Sequence, residues 1–92
     1  MGYLIVRMRI LPSSTEDDLE ELANCIREDL KGLAEMVNYY TEPIAFGLSA
    51  LMVDFKIEEK EGGTEPLEER LKSIDKVSEV DVIAVSRAST KL

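Results

Sequence analysis

Histidine and tryptophan are absent from this chain, and cysteine occurs once, at Cys25. Without imidazole there is no Ser-His-Asp or Cys-His nucleophile, no histidine metal ligand and no side chain that titrates near neutrality unaided. A lone cysteine excludes an internal disulfide and a cysteine-cluster metal site. It points to a reducing, cytoplasmic setting. Aromatic residues are scarce, with three tyrosines and two phenylalanines. Basic residues are the minority, 11 Lys and Arg against 19 Asp and Glu, for a formal charge of −8. Such a chain repels phosphate backbones, so no direct nucleic-acid partner is expected. A protein with a basic surface would instead be steered toward it. Long apolar runs are missing too. The longest, Ile44 to Val53, contains Gly47 and Ser49 and falls well short of the roughly 20 residues that a membrane span needs. Met1-Gly2-Tyr3 leads straight into strand-like residues, with no secretory leader.

What is present is one small core. Apolar residues make up 45% of the 92 residues, too many for a disordered tail. No repeat, linker or low-complexity tract divides the chain, so residues 1–92 read as a single domain. A domain of this size buries only about 60–65% of its unfolded surface, which leaves a thin stability margin.

The hydrophobic pattern gives the order of elements. Tyr3 to Ile10 alternates, with Leu4, Val6, Met8 and Ile10 on one face and Tyr3, Ile5, Arg7 and Arg9 on the other; this is a strand, closed by Pro12. Ser13-Ser14-Thr15-Glu16 matches a capping box, and Asp17 and Asp18 suit the first turn of a helix. Leu19, Leu22, Ala23, Ile26 and Leu30 follow at helical spacing, and Gly32 is a natural stop. Met36 to Thr41 is rich in strand formers. A loop over Pro43–Gly47 then leads to a second alternating run, Leu48 to Ile57. Glu58 to Gly63 is a charged loop. Thr64 is a candidate N-cap, Pro66 fits a first turn, Leu67, Leu71 and Ile74 space as a short helix, and Glu68 and Lys72 can pair at i, i+4. Val77 to Ser86 is β-branched and alternating.

The resulting order, β-α-β-β-α-β, predicts an α+β, ferredoxin-like fold: a four-stranded antiparallel sheet with both helices on one face. The second face stays open, with Arg7, Arg9, Asp54 and Lys56 among its candidates. This superfold hosts many activities, so the fold alone does not assign one.

Places for chemistry are few. The acidic groups Glu16-Asp17-Asp18 and Glu58-Glu59-Lys60-Glu61 lack the alternating spacing of a calcium loop and read as a helix start and a solvated loop; no metal is expected. No pair of acids sits on an apolar strand end, as carboxylate catalysis would require, so no catalytic residue is assigned. Cys25 lies beside the apolar helix stripe and reads as a small packed hydrophobe. Gly62-Gly63-Thr64 precedes a helix, but the lysine of a phosphate loop is missing and Glu65, Glu68 and Glu69 crowd the same turn. Arg7 and Arg9 lack the central-strand aromatics on which an RNA-binding sheet stacks bases.

One feature stands out against this background. Phe46 sits in the connection between two strands, between Pro43 and Gly47. An exposed aromatic gains nothing from water, so Phe46 either covers the end of the core or is offered to a partner.

The run Glu42-Pro43-Ile44-Ala45-Phe46-Gly47-Leu48 with Ala50-Leu51, and then Glu61-Gly62-Gly63-Thr64-Glu65, resembles the translation elongation factor 1-beta family, in its short archaeal stand-alone form, over essentially the whole chain. The resemblance implies the ferredoxin-like fold already read from the element order, and guanine nucleotide exchange on the GTPase elongation factor 1-alpha, without a cofactor. It further implies that Phe46, mounted between Pro43-Ile44 and Gly47, enters a hydrophobic pocket of the GTPase. The terminal Lys91-Leu92 matches the Lys-Leu end of eukaryotic relatives, whose lysine disturbs the magnesium and phosphate end of the nucleotide site. The alternative reading is a small regulatory or ligand-binding module that acts through the open sheet face.

Overall fold

The structure is a computed structural model and describes residues 2–14, 18–59 and 63–88. Six elements follow the expected order: β1 (Tyr3–Pro12), α1 (Leu19–Asp29), β2 (Glu35–Ala45), β3 (Leu48–Glu58), α2 (Glu65–Lys72) and β4 (Val77–Ala88). The strands form one sheet in the order β2-β3-β1-β4, and every neighbouring pair is antiparallel. This is the ferredoxin-like α+β arrangement.

Alternation along the strands decides which face is buried. Val6, Met8 and Ile10 of β1 lie beside Leu51, Val53, Phe55 and Ile57 of β3, all on the helix side. Leu22, Ala23, Ile26 and Leu30 close over them from α1 and the turn that follows it, and Leu67 and Leu71 from α2. Among the described residues no polar or charged residue is buried, so the core has no buried charge to compensate.

Helix starts differ from the expectation. Asp18, not Ser13, caps α1: its carboxylate accepts the backbone N–H of Glu20 at 2.9 Å. The Ser13 N–H is instead spent on the Lys76 carbonyl, which ties the end of β1 to the start of β4. Glu16 and Asp17 lie outside the described residues. Thr64 does occupy the N-cap position of α2, but its hydroxyl donates to the Glu68 carboxylate at 2.7 Å and caps no backbone N–H. Glu68 thus has a partner other than the expected Lys72. Gly32, with φ of +88°, supplies the left-handed residue after α1 that glycine adopts without strain.

Cys25 is exposed, contrary to the packed position expected for it. At about 100° per residue, it falls beyond the edge of the stripe formed by Leu22, Ala23, Ile26 and Leu30. The far half of β4 is also poorly covered: Val82 and Val85 share the helix side with Met8 and Val6 yet stay 37% and 48% exposed. The eight residues of α2 extend about 12 Å, much less than the strand they face.

Candidate functional site: the tip of the β2–β3 hairpin

The loop expected over Pro43–Gly47 is mostly strand. β2 continues to Ala45 and β3 begins at Leu48, so the connection shrinks to the two residues Phe46 and Gly47. Pro43 lies inside β2, still paired with Ser49. It is tolerated because β2 is an edge strand, where a missing N–H costs no ladder bond. A register shift between Pro43 and Ala45 leaves Ile44 as an extra residue, a bulge that turns the strand just before its end.

Both turn residues have positive φ, +54° at Phe46 and +79° at Gly47. That is the backbone signature of a type I′ turn, whose twist matches a two-residue hairpin. Glycine takes this conformation freely, and a Cβ built at Gly47 would meet nothing within 4 Å. Phenylalanine does not. A bulky residue in the left-handed region is an outlier costing about 1–2 kcal/mol. Phe46 is the only described non-glycine residue with positive φ. It is also 100% exposed, so no packing against the core repays that cost. The question posed by the sequence is thereby answered: Phe46 does not cover the core.

The other residues singled out lie elsewhere. Lys91 and Leu92 fall outside the described residues. The strand leading to them, β4, ends where Ala88 pairs with Tyr3, and Tyr3 pairs with Glu58 on its other side. The tip, by contrast, adjoins Leu48 at the opposite end of β3. The length of β3 separates the two, about 33 Å, in a molecule 41 Å long.

The charged side chains of the open face are engaged with neighbours on that face. Arg7 donates to both carboxylate oxygens of Asp54 at 2.9 and 3.2 Å, and Arg9 pairs with Asp81 at 3.2 Å. The Arg7 guanidinium also sits 6.0 Å from the Tyr40 ring, and the Lys56 ammonium 4.5 Å from that of Tyr3. The hydrogen bond from Arg7 is the main cause that holds the Asp54 carboxyl below its ordinary value, with its charge and a bond from Asn38 adding to it. The same bond raises Arg7. The four residues expected on this face are therefore there, but engaged with neighbours. Among the described residues no three acidic, cysteine or histidine side chains converge as metal ligands, and no helix is long and apolar enough to cross a membrane. Of the two acidic groups, Glu16, Asp17, Lys60 and Glu61 lie outside the described residues.

The β-α-β-β-α-β sheet, which carries one strained, fully exposed aromatic at a hairpin tip, places the chain in the class of α+β ferredoxin-like domains. Comparison with known proteins then fixes the family. Residues 5–88 match the EF-1 guanine nucleotide exchange domain family. The chain is 47% identical over 88 residues to elongation factor 1-beta of Staphylothermus marinus, covering 95% of this chain and 98% of that protein. It is 46% identical over 90 residues to that of Thermofilum pendens, covering 97% and 99%, and 39% identical over 89 residues to that of Methanocaldococcus jannaschii, covering 96% and 100%. The chain belongs to the elongation factor 1-beta family, in its archaeal form.

Proposed function

We propose that the chain, as one domain over residues 1–92, is a cytoplasmic guanine nucleotide exchange factor that promotes GDP release and GTP loading on elongation factor 1-alpha. It does so by binding, with no covalent chemistry, cofactor, metal, membrane or nucleic-acid contact of its own. The observation that carries this reading is Phe46, fully exposed on a turn whose backbone it strains. Strain kept at one residue by well-formed surroundings marks a functional position. Pro43, Ile44 and Gly47 are its mount: Pro43 stiffens the incoming strand, the bulge at Ile44 aims it, and Gly47 completes the turn. Pre-ordering a hydrophobic probe lowers the entropy lost on docking.

The energetics call for a second contribution. Accelerating GDP release about a thousandfold means lowering a barrier by about 4 kcal/mol, whereas burying one phenylalanine yields about 1.5–3 kcal/mol. Lys91, with Leu92 beside it, is the proposed source of the remainder, as a cation competing with magnesium at the phosphate end of the nucleotide site. Linkage makes the effect reciprocal: a factor that weakens nucleotide binding is itself weakened by nucleotide, so GTP releases it.

The test is release of labelled GDP from elongation factor 1-alpha with the wild type, Phe46→Ala, and a chain truncated after Thr90. Both variants should be slower than the wild type. Equal rates for Phe46→Ala and wild type would remove Phe46 from the site; an unimpaired truncation would remove Lys91.

A further inference from the structure

One side chain cannot make an interface. Specific protein contacts bury about 800 Å² on each partner, several times what a phenylalanine offers, so a surface must continue from Phe46 along one side of the hairpin or the other. The two sides differ. On the helix side the residues nearest the tip are Pro43, Ser49 and Thr41, small or polar. On the open side Leu48 pairs with Ala45, and the bulge sets Ile44 beside Ala45 opposite that same leucine. Tyr40, paired with Met52, lies further along the same side. Ile44, Leu48 and Tyr40 are 47%, 36% and 41% exposed. Beneath them Ala50 and Met52 are buried although no helix covers this face. Exposed apolar residues that adjoin one another mark an interaction surface, whereas scattered ones need no explanation.

We infer that the GTPase docks on the open-face side of the hairpin, and that Leu48 and Tyr40 extend the contact that Phe46 begins. The inference rests on the exchange reading and adds to it a direction of approach. The occupant is the GTPase and not a second copy, because Ile44 and Leu48 directly adjoin the Phe46 tip, which the exchange reading puts against the GTPase. Leu48 and Tyr40 make the apolar floor of that contact. Glu42, on the same side between them, supplies a carboxylate to meet a cation of the partner.

The experiment measures GDP release against factor concentration for Leu48→Glu, Tyr40→Ser and, as a control on the helix side of the same strand, Thr41→Glu. A charge forced into a desolvated contact weakens docking strongly. Leu48→Glu should therefore raise the half-saturating concentration about tenfold or more, Tyr40→Ser should raise it less, and Thr41→Glu should stay within about twofold of the wild type. Circular dichroism confirms the folded state of each variant, and Leu48→Ser replaces Leu48→Glu if the latter is unfolded. Wild-type behaviour of Leu48→Glu and Tyr40→Ser alongside a slow Phe46→Ala overturns this inference and leaves the exchange reading intact. Equal impairment by Thr41→Glu overturns the assignment of side. A Phe46→Ala as fast as the wild type removes the probe from which the contact was extended, and both fall.

Discussion

The two phenylalanines of this chain sit on the same hairpin and live in opposite surroundings. Phe55, near the base, is fully enclosed by the core, and Phe46, at the tip, is fully exposed. Phe55 lies on a regular stretch of β3, where backbone and packing agree. Phe46 occupies a left-handed turn position that opposes its own side chain. The same residue type therefore serves two ends. At the base, removal from water holds the domain together. At the tip, on the reading proposed above, the gain from leaving water is deferred until the GTPase arrives. The backbone cost, which no packing in the domain repays, is what the proposed contact accounts for.

Substitutions at the two positions test this difference. Phe55→Ala should have the largest effect, a loss of about 3–5 kcal/mol, enough to unfold much of a domain this small; a urea titration would read it. A loss below about 1 kcal/mol would show that Phe55 is no keystone. Phe46→Ala should leave the urea midpoint unchanged or slightly raised while GDP release falls about 10- to 100-fold, the equivalent of one buried phenylalanine. Any marked loss of stability would place Phe46 with Phe55 and dissolve the comparison. Phe46→Asn creates the Asn-Gly pair that type I′ turns favour. It should gain about 0.5–1 kcal/mol in stability and lose exchange as Phe46→Ala does, a separation of the two quantities within one side chain.

The smallest effect concerns acid. The Asp54 carboxyl is held low chiefly by its hydrogen bond from Arg7. Its contribution to stability is therefore present above the unfolded carboxyl pKa of about 3.9 and is lost as pH falls through the lowered folded value. Asp54→Asn should flatten that part of the acid limb in thermal melts and change nothing near pH 7 that depends on protonation. An unchanged acid limb would show that the pair does not govern it.

Most of the fold was legible in the sequence because its signals are periodic. Alternation in Tyr3 to Ile10 and Leu48 to Ile57 marked the central strands, and the Leu22–Ile26–Leu30 spacing marked the helix that covers them. Local chemistry was less legible where two principles compete. Pro43 argued for a loop, yet an edge strand accepts it. Ser13 and Glu16 formed a capping pattern, yet the Ser13 N–H is drawn to Lys76 across the molecule and Asp18 caps instead. Cys25 sat three residues from a core leucine, yet beyond the width of the stripe. At the site, Phe46 could be recognised as out of place, but not that it stands in a left-handed turn, since nothing in a sequence marks a residue that opposes its own backbone. The open-side strip of Ile44, Leu48 and Tyr40 was equally hidden. Only the register, with its bulge at Ile44, says which residues share a side.

The position of β1 carries a consequence for how the molecule is made. The first of these four strands to be synthesised lies in the interior of the sheet, between β3 and β4. It can find β3 once residue 58 has left the ribosome, but its other edge stays bare until residues 77–88 follow. During that interval a row of unpaired backbone groups is open to pairing with another chain. Of these four strands the last to leave the ribosome is thus the one that covers the second edge of β1, and a nascent chain stalled ahead of it keeps that edge open to aggregation.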